Sequence, residues 1–342
     1  MIGTEFIKGQ GLGNQLLCYV TARAIAKKKN CEFGTASQEL FAMNIHSDRG
    51  MYFLDVDLGV NITPDMKSSM NRIDEHEDRM YMGNSVHDLT HGCYVTGADK
   101  RLDDVEDNTL IYGNMQSEEY FGEYASELRD WLKVRPEYDN YEYSDDDICI
   151  LNMRGGEYTG CPELYLRKKY WVDAMKHMRT INPKMRFVIV TEDVPAANKM
   201  FPDIEAHHFD MGRDYITVKN AHYLILSNSS FSIIPAYTSD TLKYAVAPMY
   251  WARHNVSDGY WASEQNIYSL FDYIDRKGNV HTADECRQLL AKYKERSRRY
   301  RTINVRPKGI SKVLQIVKSK YILAIFWMGR IMRSLCRRLG MV

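Results

Sequence analysis

The chain has 342 residues, of which 44% are apolar and 26% charged, and a formal net charge of zero. That composition excludes a disordered or fibrous chain, and the length is enough for two hydrophobic cores. The zero balance hides an asymmetry: from Arg296 onward there are 13 Lys and Arg and no Asp or Glu, so the preceding part stands at −13.

In chain order, a strand over residues 4–7 is followed by Gly9-Gln10-Gly11-Leu12-Gly13-Asn14-Gln15. A helix to residue 29 comes next, its face marked by Leu16, Val20, Ala24 and Ala26. A second strand is expected over 31–33. Residues 35–110 are polar, Met-rich and irregular. Within them Asp55-Val56-Asp57 is a D-x-D that would suit a divalent cation, although the alternation of 53–58 reads as an edge strand with solvated carboxylates. His87 and His91 are four apart, but no Glu follows His87, so they read as surface residues rather than zinc ligands. A strand at 111–112 leads to a helix over 116–131, and the acidic stretch 139–147 has turn character. Beyond it lie a strand at 148–153, a helix at 169–178, a strand at 186–191, a helix at 194–200, a strand at 223–226, a helix near 236 and a strand at 244–247. Strands alternating with helices predict parallel α/β layers.

Three loops carry chemistry. The glycines of the first let backbone approach a phosphate or sugar at a helix start. Glu32 stands at the distance of a ribose contact, but the dinucleotide fingerprint needs glycine where Asn14 stands, which weighs against a nicotinamide or flavin enzyme. In the second, Asn152-Met153-Arg154-Gly155-Gly156-Glu157-Tyr158, an arginine at a strand end offers a forked contact to a pyrophosphate; the plain reading is a surface arginine at a turn. In the third, Ser227-Asn228-Ser229-Ser230-Phe231-Ser232, small polar side chains at a strand end converge on an anion or cap a helix.

Taken together, these segments resemble the α-1,2-fucosyltransferases of glycosyltransferase family 11 and, more distantly, the α-1,6 and protein O-fucosyltransferases. Residues 9–15 are similar to the family's G-G-L-G-N-Q opening. Gly113-Asn114-Met115-Gln116-Ser117-Glu118-Glu119-Tyr120-Phe121 is similar to its G-Y-F-Q-S-x-x-Y-F segment, residues 152–158 to H-x-R-R-G-D-Y, and residues 227–232 to N-S-S-F-S. Thr191-Glu192-Asp193 echoes a strand-end S-D-D. The chain departs from the pattern at Asn152 (family His), Gly155 (second Arg), Glu157 (Asp), and Ile233 and Ile234 (paired Trp).

The resemblance implies a GT-B-type α/β fold with two Rossmann-like domains facing a cleft. Residues 1–145 would form an acceptor-side domain and 146–295 a nucleotide-sugar domain. It further implies an inverting, metal-independent transfer, with no cofactor, from a GDP-fucose donor to a glycan or lipid-linked glycan hydroxyl. Donor contacts are expected from Gly11, Gly13, Asn14, Gln15, Asn152, Arg154, Asp214, Asn228, Ser229 and Ser230, with Asp214 at the position of a base-recognising aspartate. Arg154 would hold the phosphate, and Glu157 or Glu163 would serve as the base. The alternatives are a non-catalytic sugar-nucleotide module, or a metal-dependent transferase using Asp55 and Asp57.

Residues 296–342 form a basic tail in which the apolar run 321–328 precedes Arg330, Arg333, Arg337 and Arg338. It reads either as a helix on an anionic membrane surface or as one packed back on the acidic body. A nucleic-acid partner is not expected, since no recognition motif accompanies the charge. Seven scattered cysteines without C-x-x-C, and the lack of a signal-like start, suggest a cytoplasmic protein, peripheral on the inner face of the membrane if the tail binds it.

Overall fold

The computed structural model describes residues 1–43, 49–75, 97–160, 164–249, 251, 264–296 and scattered positions between 309 and 335. Glu163, His87 and His91 lie outside the described residues.

The first half runs β1 (Ile2–Glu5), α1 (Leu12–Lys28), β2 (Phe33–Ala36), β3 (Leu54–Asp55), β4 (Val60–Asn61), α2 (Pro64–Ser69), β5 (Asn71–Asp74), β6 (Thr109–Tyr112), α3 (Leu128–Trp131) and β7 (Lys133–Val134). Five of these strands form a parallel sheet in the order β4-β2-β1-β6-β5. β3 and β7 pair separately as a short antiparallel ribbon, so the expected edge strand around Asp55 lies outside the main sheet.

The second half runs β8 (Ile148–Asn152), α4 (Lys168–Ile181), β9 (Arg186–Val190), α5 (Val194–Met200), β10 (Glu205–His207), α6 (Met211–Lys219), β11 (Tyr223–Leu226), α7 (Ile233–Tyr237), β12 (Tyr244–Pro248), β13 (Asp272–Ile274), β14 (Val280–His281) and α8 (Ala283–Arg296). The sheet order is β10-β9-β8-β11-β12-β13-β14, parallel except for β14. Every residue of β8 is buried. Its apolar run over 148–151 is what a parallel strand covered on both faces requires, and the buried polar Asn152 closes it at the cleft. α4 buries Tyr170, Trp171, Ala174, Met175 and Met178, a stripe at helical spacing. α5 begins on Asp193, whose carboxylate accepts from the Ala196 amide with Pro195 in the first turn.

These are two Rossmann-like sheets of the expected GT-B type. In each, strand order reverses beside the first strand, between β1 and β6 and between β8 and β11, and ligands of doubly wound sheets sit outside the strand ends at that point. α1 joins the halves. Almost all of it from Leu12 to Ala26 is buried. It belongs to one continuous cluster with Tyr215, Ile216, Ile233 and Ile234 of the second half. Ile233 and Ile234 are therefore core residues.

The expected helix over 116–131 is instead two 3-10 turns, Glu118–Tyr120 and Gly122–Glu127, ending in the single turn of α3. Tertiary contacts override the local pattern here. Met115 holds a positive φ of 45°. The Glu118 carboxylate is drawn away to Tyr237 Oη (2.6 Å), to the Ser269 amide (2.8 Å) and to Arg287 (3.3 Å).

Candidate functional site

A cleft of about 350 Å³ opens between the two sheets at their switch points, within the size range of small-molecule sites. Its first wall is the loop after β1. Gly9 holds φ = +85°, a left-handed conformation that glycine alone adopts cheaply. Gly13 lies directly against the opposite wall: an added Cβ would meet Phe231 N and Ser230 C at 2.5 Å. Asn14 faces the cleft and its Oδ1 accepts from Gln116 Nε2 at 3.4 Å, bringing the 113–121 segment to the site.

Gln15 is a different case. It is fully buried, donates from Nε2 to the Leu40 carbonyl at 2.9 Å and accepts at Oε1 from the Ala42 amide at 2.8 Å. It pins the 38–42 turn and does not line the cleft.

The second wall follows β8 and β11. Asn152, Arg154, Glu157, Ser229, Ser230 and Phe231 all line the cleft. Ser229 Oγ accepts from Phe231 N at 3.3 Å, so the serine both caps the Ser230–Ser232 turn and faces the pocket. Asn228 is buried instead, with its amide donating to the Leu164 carbonyl at 2.9 Å. It ties the loop down rather than reaching the cleft.

Arg154 is held by two carboxylates. Glu192, mostly buried, stands 2.6 Å from Nη1, and Glu157, largely exposed, pairs with Nη2. Burial pulls the guanidinium pKa down, but Glu192 and Glu157 outweigh it and the net direction is upward, so Arg154 stays charged. Glu192 Oε1 also accepts from Gly155 N at 3.1 Å, and Asp193 Oδ2 accepts from Gly156 N at 3.0 Å. A Cβ at Gly155 would collide with the Asp193 side chain. Position 155 of this chain therefore accommodates only glycine without a shift of Asp193.

Also lining the cleft, on the segment after β10 and the start of α6, Asp214 accepts from His208 Nδ1 at 2.6 Å and from the Phe209 amide at 3.1 Å. Burial raises the Asp214 carboxyl to about 6, against the opposing pull of the Phe209 amide and His208. Each oxygen keeps a second lone pair for a ligand.

Neither Asp55 nor Asp57 lines the cleft. Asp57 Oδ1 caps the Gly59 amide at 2.9 Å, and among the described residues no group of three or more His, Cys, Asp or Glu is placed to share a metal ion. Among the cleft residues that sequence reading did not single out are His208 and Met211. Glu192 carried a signal in the strand-end Thr191-Glu192-Asp193 triplet.

No protein-family model matches the chain, and neither does any curated protein. Among solved structures it is similar to fucosyltransferase NodZ from Bradyrhizobium, at 12% identity and TM-score 0.42 over 71% of this chain and 94% of that one. It is also similar to the E. coli heptosyltransferase WaaC with ADP, at 8% identity and TM-score 0.38 over 85% and 99%. A third is POFUT1 in complex with GDP-fucose, at 10% identity and TM-score 0.31 over 72% and 98%.

Proposed function

We propose that the chain is a nucleotide-sugar glycosyltransferase of the family 11 type. It moves fucose from GDP-fucose to a glycan hydroxyl in an α-1,2 linkage, with inversion and without a metal. The carrying observation is the meeting of Arg154, Ser229 and Ser230 with the Gly9–Asn14 loop in one cleft at the switch points of both sheets. The residue classes that bind a pyrophosphate are gathered there.

In this reading the pyrophosphate lies between Arg154 and the Ser229–Phe231 turn, and the nucleoside extends toward His208 and Asp214. The first half supplies the acceptor side. The acceptor oxygen forms a bond to the anomeric carbon as the bond from that carbon to the phosphate oxygen breaks. Negative charge gathers on the departing diphosphate, and Arg154 with the serine hydroxyls stabilises it, a role worth about 10²–10³ in rate for each fixed donor.

The acceptor proton needs a base. Among the described carboxylates of the cleft, Asp214 and Glu192 are mostly buried and held by backbone amides. Glu157 is exposed and bonded to Arg154. Phosphate entry takes over Arg154 and frees Glu157 to accept the proton.

Calorimetry against GDP-, UDP-, CDP- and ADP-sugars tests the donor. Selective binding of GDP-fucose, and loss of transfer in a folded Arg154→Ala protein, are the expected results. Turnover that survives Arg154→Ala would refute the phosphate assignment. Activity lost in EDTA and restored by Mn²⁺ would refute the metal-free mechanism.

A further inference from the structure

The described positions from Ile310 to Leu335 are helical, and their side chains are exposed. Apolar residues recur at steps of four and three, from Ile310 through Leu314, Val317 and Tyr321 to Met328 and Leu335. An apolar stripe of this kind facing solvent marks an interaction surface. Of the two sequence readings of the tail, packing back on the body is disfavoured, because these apolar positions are not covered by it.

We propose that this helix docks flat on the headgroup region of an anionic lipid bilayer. Charge decides among the possible occupants. A 4-3 apolar repeat also fits a coiled coil with a second copy, but such pairing relies on opposite charges flanking the seam. Between Arg296 and Val342 there are 13 cations and no acid, so two copies would repel. The same cations, including Lys318, Lys320, Arg330 and Arg333 interleaved with the stripe, complement an anionic surface. Tyr321 and Trp327, both exposed, are residue types that favour the membrane–water boundary. Among the described residues no helix is long and apolar enough to cross a membrane. The rest of the chain, at −13, is repelled by such a surface and stands off it.

The test is flotation of the full-length chain with phosphatidylcholine vesicles, with and without phosphatidylglycerol. Binding is expected only with phosphatidylglycerol and should fall with salt. Lys320→Gln and Arg330→Gln should each weaken it about fivefold. Leu314→Glu with Met328→Glu should abolish it while the melting temperature stays at the wild-type value, and Trp327 emission should shift to the blue on binding in the wild type alone. Equal binding to both vesicle types, or none to either, overturns the proposal. So does a dimer in light scattering that the paired glutamates dissociate.

Discussion

Gly13 gives the sharpest test of how the two halves meet. In Gly13→Ala the new methyl would stand 2.5 Å from Phe231 N and Ser230 C and 2.7 Å from Ser230 O. All three are backbone atoms, so no side chain can rotate away. Relief requires a movement of most of an ångström in α1 or in the Ser229–Phe231 turn. Alanine gains about 1 kcal/mol over glycine as a helix former, and overpacking costs about 1–3 kcal/mol. With three close backbone contacts the cost lies at the upper end, leaving a net loss of about 2 kcal/mol and a melting temperature lower by about 3 °C. Because the displaced turn carries Ser229 and Ser230, affinity for the donor should fall more than the stability loss alone would suggest. Gly11→Ala is the control: it lines the same loop, but its added Cβ meets nothing within 4 Å. Differential scanning calorimetry and donor titration on both variants provide the assay. A Gly13→Ala protein as stable as wild type with unchanged donor affinity would refute the close apposition of the walls.

Arg154→Lys keeps a charge but loses the fork, and should retain less than about a hundredth of the transfer rate with only a modest change in melting temperature. Glu157→Gln should lower kcat while leaving donor affinity equal or tighter; unchanged kcat would remove Glu157 as the base. Gln15→Leu strands the Leu40 carbonyl and the Ala42 amide, at about 1–3 kcal/mol each. It should lower the unfolding midpoint without altering donor affinity in the protein that remains folded. For Asp214, the folded chain holds the proton more tightly than the unfolded one, since its carboxyl moves from 3.8 to about 6. Its contribution is full below about pH 4 and is lost as pH rises through 6, a change of about 3 kcal/mol. Urea unfolding across that window should show this slope in the wild type and not in Asp214→Asn.

The parts of the fold legible in the sequence were those whose chemistry is one-dimensional. Residues 148–151 of β8 and 224–226 of β11 are continuous buried apolar runs, and the run itself marks them. α6 was harder to read: its apolar positions Met211, Tyr215 and Val218 span only two turns and alternate with Gly212, Asp214, Thr217 and Lys219, which are buried too. β10, Glu-Ala-His at a sheet edge, has no apolar run at all. In the site, Arg154, Ser229 and Ser230 stood out only in combination with the loop of residues 9–15, since each alone reads equally well as a turn arginine or a cap. The same reasoning misplaced Gln15 and Asn228. Their polar ends serve backbone groups of neighbouring loops, which spacing within one segment does not reveal. His208 escaped notice because its meaning comes from Asp214 on the following helix.

The two carboxylates on Arg154 also bear on how a product departs. A guanidinium that would otherwise stand bare holds a diphosphate with its full attraction, and each turnover would then end in a slow escape. On the proposed reading, Arg154 is already paired with Glu192 and Glu157 before substrate arrives, so a diphosphate would gain only the difference between itself and Glu157. As the spent nucleotide loosens, the exposed Glu157 is within reach to take the guanidinium back. Exchange at the proposed phosphate end would then be set by a residue of the chain itself, and free nucleoside diphosphate should be a weaker inhibitor of the wild type than of Glu157→Gln.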